Sequence, residues 1–305
     1  MPDGPEPPGY AEAVEHVRFV ERPQLDRPVM ICSFQGWNDG GEAASVASRY
    51  LIERWQGRPL AHLDPEEFFD FQVTRPTVRL EGGVTRVIEW PQGEFFVASA
   101  SGRDVVLFTS GEPNNRWRTF VQQIIGTGQE LGSAMLVTLG AFLTDVPHSR
   151  EVPVVGSANS EDTAEHLRLT RSQYEGPTGV VGVLHEASNR AGLPSVSLWA
   201  AVPHYLPTGP NPKASLALVH RVCELLDVSV DTGPLESAVS RWEEGVTRLV
   251  EGSEELSEYI SRLEAAADRQ DDDDTGDGDT RDELKSTSGD AIAAELEQFL
   301  REQGP

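Results

Sequence analysis

Polar side chains follow four apolar segments of the sequence, and their types are those that bind polar ligands or protein surfaces. Amide, carboxylate, guanidinium and imidazole groups exchange hydrogen bonds and charge with a partner, and α/β proteins place such sites at strand ends. The candidate interaction or ligand residues are Gln35, Trp37, Asn38, Asp39, Glu112, Asn114, Arg116, Asp145, His148, His204 and Tyr205.

The glycine-rich turn at 35–41 lies between an apolar segment and a helical pattern, where an α/β protein binds phosphate. Two of its glycines have the spacing of a P-loop, but Glu42-Ala43 stands where a P-loop needs Lys and Ser or Thr. The pattern favours a helix cap by Asn38 or Asp39 at a sharp turn. The alternative is an exposed contact surface that carries Trp37.

Catalytic and metal-binding motifs do not occur in their usual forms. The sequence has no Gly-x-Ser-x-Gly elbow, and its spacing defines no histidine partner for Ser33 or Ser110 at the strand ends. His185-Glu186 lacks the second histidine of the zinc helix motif, and Asp145 with His148 is an isolated pair. We therefore assign no catalytic residue, no metal and no cofactor.

The charge balance argues against nucleic acid as the main partner. Fifty Asp and Glu against 25 Lys and Arg give a net charge of −25 over 305 residues. A phosphate backbone is bound by concentrated cations, whereas the arginines of this chain are scattered among acids. An apolar fraction of 38% is sufficient for a folded core.

Cysteine usage and the N-terminal composition predict a cytoplasmic protein. Cys32 and Cys223 lie far apart, so we expect no disulfide framework. Residues 1–10 contain four prolines and two acids where a secretory signal has a basic start and an apolar run. The uncharged segment 191–212 contains five prolines, so we expect loop and strand there and no membrane span.

Strands and helices alternate along residues 17–230, which predicts an α/β domain with parallel strands, because a parallel pair needs a crossover that is usually helical. A helical pattern follows the glycine turn as far as residue 55. The other predicted elements are strands at 29–34, 84–90, 95–100, 105–109, 134–139, 152–155 and 195–202, and helices at 117–131, 180–190 and 213–226.

The segment 231–267 is predicted to be a helical extension. Its apolar residues form a heptad stripe from Leu235 to Leu263, over about four heptads. A single buried helix or a two-helix hairpin broken near Gly252-Ser253 accounts for this stripe. An intermolecular coiled coil is the alternative.

The two ends of the chain have compositions that do not favour a packed core. A loose segment is expected at 1–16. From Asp268 onward 13 acids oppose four bases, so we expect a disordered acidic linker at 268–290. The apolar spacing in residues 291–305 predicts a short amphipathic helix, which either docks on a protein surface or docks nowhere.

Five motifs occur in a fixed order along the chain. They are Phe34-Gln35-Gly36-Trp37-Asn38-Asp39-Gly40-Gly41, Gly111-Glu112-Pro113, Leu139-Gly140-Ala141-Phe142-Leu143-Thr144-Asp145-Val146-Pro147-His148, Tyr174-Glu175-Gly176-Pro177-Thr178-Gly179 and Ala201-Val202-Pro203-His204-Tyr205-Leu206. Together they resemble the proteasome assembly chaperone 2 family, in its actinobacterial branch. The resemblance covers about residues 17–267.

The resemblance implies a three-layer α/β/α fold of the phosphorylase or nucleosidase type, with a mixed sheet and a helical extension. It also implies a homo-oligomer, with a trimer as one expected form, and a non-enzymatic role in proteasome assembly with proteasome subunits as partners. The alternative is a small-molecule-binding protein or enzyme that uses a phosphorylase-like cleft lined by Asn38, Asn114, Arg116 and His148.

Overall fold

The structure is a computed structural model that describes residues 14–167, 169–171, 176–206 and 209–274. Strands and helices alternate through these ranges, and a short 3-10 helix at Gly40–Glu42 precedes the first α-helix. The strands are β1 (Val17–Phe19), β2 (Val29–Gln35), β3 (Arg58–Leu63), β4 (Thr77–Glu81), β5 (Thr85–Glu89), β6 (Gly93–Ala100), β7 (Arg103–Gly111), β8 (Met135–Thr144), β9 (Val154–Ala158), β10 (Thr170–Arg171) and β11 (Ser195–Pro203). The helices are α1 (Ala43–Arg54), α2 (Trp117–Glu130), α3 (Glu161–Leu167), α4 (Val180–Arg190), α5 (Pro212–Leu226), α6 (Gly233–Glu251) and α7 (Glu254–Asp274).

A mixed sheet lies at the centre, with the strand order β1-β3-β6-β7-β2-β8-β11-β9-β10. Its middle is parallel, because β7, β2, β8 and β11 run in the same direction. The pairs β3–β6, β6–β7 and β11–β9 are antiparallel. β4 and β5 form a separate two-stranded sheet.

The central strand β2 is buried on both faces. Met30, Cys32 and Phe34 contribute to one hydrophobic core, whereas Ile31 contributes to the other. A strand covered on both faces is almost continuously apolar instead of alternating, and residues 29–34 follow this pattern except at buried Ser33. Helices α2 and α4 pack on the first face, and α1, α5 and α6 pack on the second.

The predicted fold class is confirmed, since a mixed sheet lies between two helical layers and C-terminal helices follow it. The predicted strands correspond to β2, β5 to β9 and β11. The predicted helices correspond to α1, α2, α4 and α5. Across the described ranges, the structure contains no helix long and apolar enough to cross a membrane.

The helical extension consists of two helices. α6 ends at Glu251 and α7 begins at Glu254, so the helix breaks at Gly252-Ser253. α7 continues to Asp274, beyond the predicted boundary at residue 267. The rest of the predicted linker, the predicted terminal helix, the segment 1–13 and Tyr174-Glu175 of the fourth motif lie outside the described residues.

Candidate functional site at the carboxyl edge of the sheet

The candidate residues lie on the loops that leave one edge of the sheet. The parallel strands β7, β2, β8 and β11 all end at this edge, and the loop that follows each strand carries candidate residues. β3 runs in the same direction as β7, because both pair antiparallel with β6. The insertion 64–92, which connects β3 to β6, therefore also leaves from the carboxyl edge.

Glu112 connects the loop after β7 to the start of α4. Its Oε1 accepts a hydrogen bond from the backbone N–H of Val180 at 2.9 Å. A carboxylate at a helix N-terminus satisfies an unpaired N–H and interacts favourably with the helix dipole. Its own backbone N–H donates to the carbonyl oxygen of Gln35, the last residue of β2, at 2.9 Å. Glu112 thus ties β2, β7 and α4 together.

Gly179 permits the close packing of three candidate residues. A Cβ atom at this position would lie 2.4 Å from Asn38 Oδ1, 3.0 Å from Glu112 Oε1 and 3.2 Å from the Trp37 ring. No larger residue fits here without displacing these side chains. Gly179, in the fourth sequence motif, therefore leaves space for Trp37 and Asn38 of the first motif and for Glu112 of the second.

Asn38 is fully buried, and its backbone carbonyl accepts a hydrogen bond from the N–H of Ala141 on β8 at 2.8 Å. Its side-chain oxygen and nitrogen have no hydrogen-bond partner among the residues that the structure describes. An unpaired buried amide costs on the order of 1–3 kcal/mol. The Asn38 side chain therefore carries two unsatisfied polar atoms at this edge.

Asp39 anchors the first turn of α1. Its Oδ1 accepts hydrogen bonds from the N–H of Ala44 at 2.7 Å and of Ser45 at 3.3 Å. Burial raises the pKa of this carboxyl, and these hydrogen bonds oppose the increase. By contrast, the neighbouring Trp37 side chain is 39% exposed, and Gln35 is exposed as well.

Asn114 and Arg116 hold the insertion 64–92 against the loop after β7. Asn114 Oδ1 accepts hydrogen bonds from the N–H of Asp70 at 2.9 Å and from the hydroxyl of Thr74 at 3.3 Å. Arg116 forms an ion pair with Glu67. Both side chains are thus turned toward the insertion.

Asp145 and His204 meet beneath α7, although they follow different strands. Asp145 Oδ1 lies 2.8 Å from His204 Nδ1, and it accepts a hydrogen bond from the Tyr259 hydroxyl at 2.7 Å. Burial, followed by the hydrogen bond to Asp145, raises the pKa of Tyr259. A helix of the C-terminal extension thus completes this polar group.

His148 and Tyr205 form a second pair under the same extension. The Tyr205 hydroxyl lies 2.9 Å from His148 Nδ1 and accepts a hydrogen bond from the His148 N–H at 2.7 Å. Lys213 Nζ donates to the His148 carbonyl at 2.8 Å and forms an ion pair with Glu243 of α6 at 2.6 Å. Trp242 of α6 packs edge-on against the His148 ring. His148 is consequently only 8% exposed.

Burial determines the protonation of this pair. It lowers the pKa of His148, with a further decrease from the neighbouring Lys213 cation. Burial also raises the pKa of Tyr205 to about 12. At neutral pH the pair is thus an uncharged imidazole and an uncharged phenol, which is suited to a structural hydrogen bond.

A narrow pocket lies beside His148, with room for about one water molecule. It is much smaller than the roughly 300–1,000 Å³ of a typical ligand site. Its lining residues are Val146, Pro147, His148, Glu151, Val152, Ala201, Pro203, Asn211, Lys213 and Trp242.

The structure thus distributes the candidate residues among separate surroundings. Asn38 and Glu112 meet at Gly179, Asn114 and Arg116 face the insertion, and His148 lies under α6. The hydroxyls of Ser33 and Ser110 are buried and have no hydrogen-bond partner in the described part of the chain. Groups of three or more potential metal ligands do not occur within the described ranges.

Four residues of this edge were not among the sequence candidates. Tyr259 contributes a hydrogen bond to Asp145, and Lys213 forms an ion pair with Glu243. Trp242 packs edge-on against His148, and Gly179 leaves space for neighbouring side chains. Gly179 and Trp242 lay within recognised patterns, the fourth motif and the heptad stripe, whereas Tyr259 and Lys213 had no signal in the sequence. The four residues are Gly179, Lys213, Trp242 and Tyr259.

Comparison with known proteins assigns the chain to a family. The model of the PAC2 family matches residues 33–250, so the protein belongs to the PAC2 family. The family that the five motifs indicate is thus confirmed, and its actinobacterial branch is confirmed by the structures from Streptomyces and Mycobacterium that follow.

Two actinobacterial structures are similar to this chain. A PAC2 family protein from Streptomyces avermitilis is 47% identical, with a TM-score of 0.72. A proteasome-assembly chaperone homologue from Mycobacterium tuberculosis is 43% identical, with a TM-score of 0.69. Each comparison covers 76% of this chain and 99% of the other. An archaeal proteasome activator from Pyrococcus furiosus shares the fold. It is 18% identical, with a TM-score of 0.63, and the comparison covers 76% of this chain and 97% of the activator.

Proposed function

We propose that this protein is a non-enzymatic protein-binding module of the cytoplasm that acts as a proteasome assembly chaperone. It acts as a homo-oligomer, and its partners are proteasome subunits. The observation that carries this proposal is the 43% identity to the mycobacterial proteasome-assembly chaperone homologue, along 99% of that chain.

The contacts at the carboxyl edge support a binding surface more than a reaction site. Glu112 caps α4, Asp39 anchors α1, and His148 is hydrogen bonded to Tyr205 beneath α6. Polar groups that are engaged within the protein hold loops in place, which gives a partner a preorganised surface. Trp37 is exposed beside them, and aromatic side chains of this kind are enriched at interfaces.

An assembly assay tests this proposal. Purified protein is mixed with proteasome α and β subunits, and the rate of particle formation is followed on native gels. We expect faster assembly with the wild type and a smaller acceleration with Trp37→Ala. Val20→Ala is the control for an exposed apolar side chain elsewhere on the protein. Val20 is 67% exposed, but it follows β1, which ends at the opposite edge of the sheet from Trp37. An unchanged rate without co-migration of the wild type would contradict the proposal.

One observation favours a second candidate function, the binding of a small polar ligand in a phosphorylase-like cleft. The Asn38 amide is buried, and within the described ranges it lacks a hydrogen-bond partner. Nucleosides, phosphorylated sugars and amino acids are screened by thermal shift. A ligand at 100 times its dissociation constant stabilises by about 2.7 kcal/mol. A shift that Asn38→Ala abolishes would support this candidate, and a silent panel would contradict it.

A further inference from the structure

Helix α7 presents a row of carboxylates to the loop that follows β8. Arg150 Nε and Nη2 lie 2.6 and 2.9 Å from the two carboxylate oxygens of Asp268. Arg150 Nη1 lies 3.6 Å from Glu264 Oε1, which also accepts a hydrogen bond from the Ser149 hydroxyl. Glu264 and Asp268 are four positions apart, so both carboxylates lie on one face of the helix. One arginine of the domain thus serves two acids of α7.

The first half of α7 adds an aromatic contact. The Tyr259 hydroxyl donates to Asp145 Oδ1 at 2.7 Å. Its ring packs edge-on against His204 and Tyr205, with ring centroids 5.6 and 6.0 Å apart. Edge-to-face packing of rings is favourable and depends on their orientation. The residues beneath α7 form what we call the α7 surface, which consists of Asp145, Ser149, Arg150, His204 and Tyr205.

The apolar anchoring of α7 is weak in comparison with that of α6. Leu235, Val239 and Val246 of α6 are buried, and Leu235 belongs to the second hydrophobic core. Of the apolar side chains described in α7, at residues 254–269, only Ile260 is buried, and neither core includes it. An exposed ion pair contributes about 0–1 kcal/mol. Helix α7 can therefore leave the domain while α6 stays packed.

The composition of α7 does not favour an independent helix. Residues 254–274 contain nine acids and two arginines. Acids on neighbouring turns repel each other, and the four aspartates at 271–274 oppose the helix dipole at the C-terminal end. The break at Gly252-Ser253 separates this segment from α6. The position of α7 thus depends on its contacts with the α7 surface.

These contacts show which chemistry the α7 surface recognises. A guanidinium binds carboxylates through paired hydrogen bonds, and the rings of His204 and Tyr205 receive an aromatic side chain. The matching ligand is a helix with an aromatic residue and two acids one turn apart. An amphipathic helix that lies on a complementary surface is a common mode of protein recognition. A helix of this pattern on another protein can make the same contacts.

We propose that the α7 surface is a binding site for an acidic helix of a partner protein, and that α7 closes this site until it is displaced. The tethered α7 has a local concentration on the order of millimolar, so it competes effectively with a partner. If α7 covers the surface for at least about nine-tenths of the time, the apparent affinity for a partner helix falls at least about tenfold. This inference goes beyond the proposed function, because it does not require the partner to be a proteasome subunit.

A peptide titration on the full chain tests the site. The probe is a synthetic, dye-labelled peptide of residues 254–274, and binding is followed by fluorescence anisotropy. Glu264→Lys/Asp268→Lys places two cations opposite Arg150, which should release α7 without altering the α7 surface. We expect this variant to bind the peptide at least about tenfold more tightly than the wild type.

Glu255→Lys/Glu258→Lys is the matched control for charge. Both glutamates are exposed residues of α7, and the change in net charge is the same. We expect the affinity of this variant for the peptide to stay within about threefold of the wild type. Equal affinities for the two double variants, or no binding by the releasing variant, would overturn the inference.

Arg150 provides a test from the other side of the contact. Arg150→Ala, added to Glu264→Lys/Asp268→Lys, should weaken peptide binding at least about tenfold, because it removes the group that binds both carboxylates. Arg190→Ala in the same background removes an equal charge from α4 and should have little effect. Equal losses from both arginines would show that the peptide responds to overall charge, and the α7 surface would not be its site.

Hydrogen exchange shows whether α7 leaves alone. In Glu264→Lys/Asp268→Lys we expect amide exchange at least about tenfold faster in α7, with α6 at its wild-type rate. Equally accelerated exchange in both helices would mean that the hairpin opens as one unit, which would contradict a cover formed by α7.

The inference and the proposed function fail separately. If the releasing variant binds the peptide but the protein never affects proteasome assembly, the α7 surface stands and the proposed function is wrong. If the wild type speeds assembly but the releasing variant does not bind the peptide, the proposed function stands and the α7 surface is wrong.

Discussion

The carboxylate of Glu112, on the loop after β7, accepts a hydrogen bond from the N–H of Val180, the first residue of α4, at 2.9 Å. The two residues are 68 positions apart in the sequence. In many α/β proteins the N-terminus of a helix at this edge binds an anionic ligand. Here a side chain of the protein supplies the negative charge, so the helix terminus is already satisfied.

Removing this cap should weaken the attachment of α4. Glu112→Ala is expected to lower the free energy of unfolding by about 1 kcal/mol, because it leaves an orphan N–H and removes the favourable charge at the helix dipole. Glu112→Gln keeps an acceptor oxygen and should lose about half as much. Urea unfolding measures both. Equal losses for the two variants would show that the hydrogen bond itself contributes little.

Opening of α7 should depend on Arg150. Its Nε and Nη2 lie 2.6 and 2.9 Å from the two carboxylate oxygens of Asp268, which fastens α7 to the loop after β8. We expect Arg150→Ala to speed hydrogen exchange in α7 severalfold, and 1 M NaCl to have a similar effect on the wild type, because salt screens exposed pairs.

Arg190→Ala is the control for this prediction. Arg190 also forms an exposed ion pair, with Glu186 at 2.7 Å, but both residues belong to α4. Exchange in α7 should therefore stay at the wild-type rate. If Arg150→Ala leaves α7 equally protected, apolar contacts such as buried Ile260 hold the helix instead.

His185 should make stability depend on pH. Its Nε2 lies 3.0 Å from the Thr138 hydroxyl and its Nδ1 lies 3.0 Å from the Ser195 hydroxyl. Burial lowers the pKa of this histidine to about 4. The unfolded chain therefore binds a proton more readily than the folded one, and stability falls as pH decreases from about 6.5 toward 4.

The difference between wild type and His185→Gln measures this effect. Between pH 7.5 and 5.5 the wild type should lose about 1 kcal/mol more free energy of unfolding than the variant, because glutamine does not titrate. The comparison cancels the contributions that other titrating groups make to the pH dependence of stability. Asp39, whose pKa is raised by burial, is one of these groups. Parallel pH profiles for the two proteins would show that His185 is not responsible.

Two glycines should respond oppositely to alanine. A Cβ atom at Gly140 of β8 would lie 2.6 Å from Trp199 Cε3, so Gly140→Ala should destabilise by about 1–3 kcal/mol through overpacking. At Gly245 of α6 a Cβ meets open space, so Gly245→Ala should stabilise by up to about 1 kcal/mol. Thermal unfolding of both variants checks the signs. Destabilisation by both would imply that the exposed face of α6 is covered.

Some elements escaped sequence-based prediction for identifiable reasons. β1 and β10 are too short for a periodic signal, and β3 contains Pro59. In β4 the apolar residues alternate correctly but face solvent, so the pattern resembles a surface segment. These elements depend on strand pairing, which is a property of the tertiary structure.

The sequence by itself determined the parallel centre of the sheet and the loops that carry polar groups, because buried strands and their helices leave strong local patterns in apolar spacing. The five motifs also identified the family. Only the tertiary structure decided which loops meet. The Tyr259 hydroxyl reaches Asp145 across 114 positions, and Gly179 makes room for Asn38 and Glu112. Such contacts depend on strand order and helix placement, which local spacing does not encode.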